Sequence, residues 1–193
     1  MNNSLTITLR KNKGMEEIAT IYLNNSAFTK DALQSVNKFL QEYIKNEKNI
    51  KDERLRAIKT VEKFKGGIWN ICGEVNYVQE LYPNENFRAL IGGDWTIVIS
   101  QKLIDRIQYN SQREIYIDLD EKEVLNNTVG IYDSIEQYQA LANSKESDFE
   151  EIDFDIFKIN FDKLETILNS VMKTNKTLLK LKNKEVFYEL KSN

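Results

Sequence analysis

The sequence predicts an α+β fold: a mixed or mainly antiparallel sheet of five to seven strands with helices packed on one side. Three observations support it. Segments with a two-residue apolar period occur at the start, in the middle and at the end of the 193-residue chain. Segments with a three- to four-residue period lie between them. Strands and helices alternate too irregularly for a doubly wound parallel sheet.

The elements follow in chain order. Leu5, Ile7 and Leu9 alternate with Thr6 and Thr8, the pattern of a half-buried strand. Lys11 to Gly14 supply a turn, and the run to Leu23 contains the β-prone Ile18, Thr20, Ile21 and Tyr22, so the chain opens with a hairpin. A helix capped by Thr29 follows, with Leu33, Val36, Leu40 and Tyr43 on one stripe, widened by Phe39 and Ile44. A second helix, Asp52 to Phe64, sets Leu55, Ile58 and Val61 at three-residue steps and stops at Gly66 and Gly67. From Ile68 to Ile91 the apolar spacing begins strand-like and ends near helical, and the only proline, Pro83, interrupts it; the expectation is a strand and then an irregular loop.

Trp95 to Ser100 reads as an inner strand, and Gln101 to Tyr109 as a short helix that buries Leu103, Ile104 and Ile107. Glu114 to Leu119 alternates again, with Ile115, Ile117 and Leu119 inward and Asp118 on a wet face. Asp120 to Leu125 reads as a helical turn or two, Ile131 to Ala142 as a polar helix, and Ile152 to Ile156 as a strand with one carboxylate face. Phe161 to Leu181 is expected to be the longest helix, and Glu185 to Leu190 a closing strand. Residues 1–193 carry no repeat and no Gly/Ser/Pro linker, which favours a single domain; the best candidate boundary lies at 65–67.

At 41 % hydrophobic and 10 % aromatic residues, the chain can bury an ordinary core despite its charge. One cysteine, Cys72, excludes an internal disulfide, and neither a secretory signal nor a membrane span is apparent, so the expected location is the cytoplasm. Cys72 stands in an apolar stretch and reads as an inert buried thiol. The sequence holds no histidine. That removes Ser/His/Asp and Cys/His nucleophile pairs and His-ligated metals, and it leaves carboxylates, Lys, Tyr or Cys72 for any catalysis.

The modest net charge of −3 hides a strong acidic block. Between Ser111 and Phe157 thirteen Asp and Glu face only Arg113, Lys122 and Lys145, a local net charge of −10. Two groups of acids stand out as a recognition surface. The first is Asp118, Asp120, Glu121 and Glu123; the second is Glu146, Asp148, Glu150, Glu151, Asp153 and Asp155, interleaved with Phe149, Ile152 and Phe154. Such a strip suits a basic protein partner, whose approach it would steer. A plainer reading places the same acids on a solvated sheet face, and Glu121 and Glu123 in the first turn of a helix, where the dipole favours them.

Other constellations are weaker. Asp94, Asp118 and Asp120 could hold Mg²⁺ if the fold joined them, but Tyr116 takes the place of the lysine that a Glu-x-Lys nuclease would set after Glu114. The pairs Gly66-Gly67 and Gly92-Gly93 lack phosphate-loop spacing, so no cofactor is expected. Trp69, Tyr77, Tyr82, Phe87 and Trp95 could line a pocket or fill a core. Lysines 173, 176, 180, 182 and 184 make a basic tail with no Arg after Arg113, which argues against nucleic-acid reading and allows pairing with the acidic strip of a second copy.

The leading expectation is therefore a small cytosolic acidic binding protein, of the immunity-protein or antitoxin kind that blocks the basic active site of a nuclease-type toxin. The alternatives are a carboxylate- and Mg²⁺-dependent hydrolase or nuclease, and a structural or accessory subunit of a phage or secretion assembly.

Overall fold

A computed structural model describes residues 4–26, 29–92, 94–126, 157–166 and 168–169. Eight strands form one mixed sheet in the order β4-β3-β5-β2-β1-β6-β7-β8. The α+β class and the mixed sheet are those the sequence predicts, and the sheet is one strand wider than the expected maximum.

The opening hairpin is as read: β1 (Leu5–Lys11) and β2 (Glu16–Leu23) pair antiparallel around a 3-10 turn, Asn12–Gly14. Ile7 sits opposite Ile21, so the aliphatic residues of both strands share one face of the sheet. A bulge between Leu9 and Arg10 shifts the register. The helices α1 (Thr29–Asn46) and α2 (Glu53–Lys63) cover that face, burying Leu33, Val36, Phe39, Leu40, Tyr43, Ile58 and Val61. Asp52 caps α2 by accepting from the Leu55 backbone N–H at 2.8 Å. Ile44, read as widening the α1 stripe, is 48 % exposed.

β3 (Gly67–Trp69) and β4 (Ala89–Leu90) are the short strands at one end of the sheet, and β5 (Thr96–Val98) runs parallel to β3 and antiparallel to β2. Gly66 and Gly67 are required by close approach. A Cβ on Gly66 would lie 2.2 Å from the Trp95 carbonyl oxygen, and one on Gly67 would lie 2.2 Å from that of Arg88. Between β3 and β4 the chain forms a helix, α3 (Glu74–Leu81), where the sequence led us to expect an irregular loop. Its Val75, Tyr77 and Val78 favour strands, and its exposed Tyr77 and Leu81 blur the helical stripe; tertiary anchoring of Glu74 overrides both signals.

The helix α4 (Gln101–Tyr109) has the predicted bounds and the predicted inward residues, but it packs on the opposite face of the sheet. There Leu103, Ile104 and Ile107 form a second, smaller core with Val98, joined by Tyr22 and Trp69. The thin end of the sheet is thus covered on both faces, whereas the sequence suggested helices on one. This explains why Thr6 and Thr8, set by alternation on the polar side of a half-buried strand, are fully buried together with Thr20. Their hydroxyls are satisfied internally: Thr8 and Thr20 share a 2.8 Å hydrogen bond, and Gln108 of α4 donates to Thr8 at 3.1 Å.

From α4 the chain enters β6 (Arg113–Asp118), which runs parallel to β1, and then folds back as β7 (Glu123–Asn126) and β8 (Phe157–Asn160). The Asp120–Leu125 helix of the sequence reading is instead a tight turn and a strand. Val124 pairs with Ile117 and Ile159 on the main core face, and this burial outweighs the helix-friendly acids. After β8 a 3-10 turn, Phe161–Lys163, leads to a helical stretch whose Leu164 and Leu168 join the main core. The segments expected at 131–142, 152–156 and 185–190, and most of the helix expected over 161–181, lie outside the described residues. Among the described residues no helix is long and apolar enough to cross a membrane.

Candidate functional site

Four of the ten acids singled out in the sequence converge on the β6–β7 turn. Asp118 ends β6 beside Arg10 of the parallel β1, and Lys122 takes a left-handed conformation at φ 54° to close the turn. The Asp118 carboxylate builds this turn: Oδ1 accepts from the backbone N–H groups of Asp120, at 3.2 Å, and Glu121, at 3.0 Å. Its Oδ2 lies 3.6 Å from Arg10 Nε.

Asp118 is therefore not on a wet face. It is only 3 % exposed, with its charge met by Arg10 and the turn amides, and it positions the site without offering a contact surface. Asp120 and Glu121 are exposed, and Glu123 is half-buried. Asp120 Oδ2 accepts from the Asn12 backbone N–H at 2.7 Å and so ties the β6–β7 turn to the β1–β2 turn.

Cations are interleaved with acids around this corner. Lys11 Nζ stands 3.0 Å from Glu53 of α2, and Arg54 stands 3.9 Å from Glu16. The hydrogen bond and charge of Glu53, with smaller contributions from Asp120 and Glu16, raise the Lys11 pKa above the usual lysine value. Arg10 also lies over the Tyr116 ring, 5.0 Å from its centroid, and the Tyr116 hydroxyl donates to Glu114 at 3.0 Å. Burial, then the negative Glu114, pushes the Tyr116 hydroxyl pKa up.

Glu146, Asp148, Glu150, Glu151, Asp153 and Asp155 lie outside the described residues. The strands that flank them are placed: Asn126, the last residue of β7, pairs with Phe157, the first of β8. The intervening thirty residues hold eight acids against Lys145 alone, and they leave and rejoin the sheet at one residue pair. That pair lies at the far end of β7 from the Asp118–Glu123 turn, since Asn126 faces Ile115.

Asp94 does not join Asp118 and Asp120. It precedes β5 at the end of the sheet marked by the Thr96–Tyr22 pair, whereas Asp118 marks the other end, opposite Arg10. Four residues of strand rise set the ends ~13 Å apart, and three strand spacings add ~14 Å across the sheet. The Mg²⁺ triad envisaged from the sequence is thereby ruled out by register. Among the described residues no group of three or more Asp, Glu or Cys could hold a metal ion.

The remaining constellations also resolve. Cys72 is exposed, not buried, with φ 49° and its sulfur 3.7 Å from Arg106 Nη1. It sits where the chain turns from β3 into α3, which leaves its side chain on the surface. The aromatic group divides into three contacts: Trp69 with Tyr22, Trp95 with Phe64, and Tyr82 with Phe87. Tyr77, the remaining member, is 42 % exposed. No protein family, curated protein or solved structure matches the chain.

Proposed function

We propose that the protein is an acidic binding protein that docks a basic protein partner, and that this partner is a nuclease-type toxin domain whose cationic active site the acids occupy. The observation that carries the reading is the net charge of −10 between Ser111 and Phe157, in a chain whose remaining residues are net positive. Exposed Asp120 and Glu121 stand at one end of β7, and the eight-acid segment is tethered at the other. Acids concentrated on one part of a surface steer a cationic partner far better than the same number dispersed around it. Immunity proteins and antitoxins of this kind act in the cytoplasm, where a single unpaired cysteine is at home.

The test is co-expression with the product of the adjacent reading frame, followed by neutralisation of the six acids from Glu146 to Asp155 to Gln or Asn. The reading requires a stoichiometric complex that protects the host from the partner's nuclease activity, and loss of that protection in the neutralised variant. Protection that survives neutralisation would overturn it.

A further inference from the structure

Where the chain leaves β2 for α1, an open cleft of about 410 Å³ lies between the Asn24–Ser26 loop, one face of α1 and the Asp94–Trp95 corner before β5. This is the size range of small-ligand sites. The cleft belongs to the sheet end away from Asp118, and it stands apart from the docking reading.

Its walls are polar. Leu23 and Trp95 are its only large apolar residues, and amide and hydroxyl side chains such as Asn25, Gln34 and Ser35 supply both donors and acceptors. Three formal charges face it: Asp31 and Lys38 on α1, and Asp94. Among the described residues none of the three takes part in an ion pair. The Lys38 ammonium is held by ring faces instead, 4.5 Å from the Phe64 centroid and 5.7 Å from that of Trp95. This fixes a positive charge on one wall without neutralising it.

Charge of both signs narrows the ligand class. Two carboxylates repel a polyanion such as a nucleotide, and the lysine repels a simple polyamine. A ligand carrying one anion and one cation meets both. Asp31 and Lys38 lie seven residues apart on one helix face, ~10 Å along the axis, so the ligand's charges must also be separated. A free dipeptide, with its termini ~7 Å apart when extended, covers most of that gap, and a charge-assisted hydrogen bond of ~2.8 Å at each end covers the rest. We infer that this cleft binds a short zwitterionic peptide, its carboxylate on Lys38 and its ammonium on Asp31 and Asp94.

The test uses the dipeptide L-seryl-L-asparagine and its N-acetylated, C-amidated form, titrated into the full chain up to tens of millimolar and followed by heteronuclear NMR. The expected result is saturable shifts at the Trp95 indole N–H and the 24–38 backbone, absent at Trp69, with no response to the capped peptide. Lys38→Gln and Asp94→Asn should each weaken binding about tenfold or more, the scale of one charge-assisted hydrogen bond, while both variants keep the wild-type spectrum elsewhere. No saturable shift with the free dipeptide, an equal response to the capped form, or unchanged affinity in both variants would overturn the assignment.

Discussion

The Glu74 carboxylate clasps Ser100. One oxygen accepts from the Ser100 backbone N–H at 3.0 Å and from that of Ile99 at 2.6 Å, and the other accepts from the Ser100 hydroxyl at 2.5 Å. Ser100 is the N-cap of α4, so a buried acid from the first turn of α3 takes the N-cap amide and hydroxyl and the amide before it, and meets the positive end of the α4 dipole. The clasp joins α3 to the helix on the other face of the sheet. Glu74→Ala should lower stability by about 2–4 kcal/mol by orphaning three donors, and Glu74→Gln by less. Urea unfolding with an unchanged denaturant slope would measure it; a loss under about 0.5 kcal/mol for the alanine variant would show that the clasp contributes nothing.

Gly66→Ala should be among the most damaging small substitutions, because its new methyl must displace the Trp95 carbonyl, 2.2 Å away, and the Val61 side chain, 2.6 Å away. Gly73→Ala meets no atom within 4 Å and bears only the cost of a positive φ of 78°. The expected losses are more than about 3 kcal/mol for the first and about 1 kcal/mol for the second. Thermal midpoints of the two variants would rank them, and a reversed order would contradict the packing of β3 against β5.

Stability should fall as pH rises above about 10. Burial raises the hydroxyl pKa of Tyr43; burial and the hydrogen bond to Asp52 raise that of Tyr82; burial and Glu114 raise that of Tyr116. A phenol raised in the folded state stays protonated while its unfolded counterpart ionises. Its contribution is therefore complete below the unfolded pKa of about 10 and is lost progressively above it. Lys11, raised by Glu53, acts in the same direction. Tyrosinate absorbance should show part of the nine tyrosines titrating only together with unfolding; a single smooth titration of all nine in the folded protein would contradict these environments.

The β6–β7 turn separates structural acids from contact acids. Asp118→Ala removes two turn hydrogen bonds and leaves Arg10 without its carboxylate, so it should cost about 2–3 kcal/mol. Glu121→Gln should change stability by less than about 0.5 kcal/mol, since the side chain is exposed. Equal effects in a denaturation assay would show that Asp118 has no special place.

The main core was legible in the sequence. Leu5, Ile7 and Leu9 against Ile21, the α1 stripe apart from Ile44, Ile58 and Val61 of α2, and the α4 face keep their predicted roles, because burial enforces period there. The second face was not legible. Alternating Thr6 and Thr8 look wet whether water or α4 lies over them, and only the β5–α4–β6 crossover decides. Asp118 was misread for the same reason: β6 alternation gives its face, and the parallel neighbour Arg10 comes from a strand more than a hundred residues earlier. Glu74 and Lys38 gave no signal, since one looks like any first-turn acid and the other like any lysine on a polar helix face.

The most direct test of the docking account is the rate at which the protein associates with the adjacent-frame product, measured by stopped flow across a range of ionic strength. Docking through the acids of 111–157 predicts a steep fall in association rate with added salt and a weaker response in dissociation. An association rate that is indifferent to salt would contradict it.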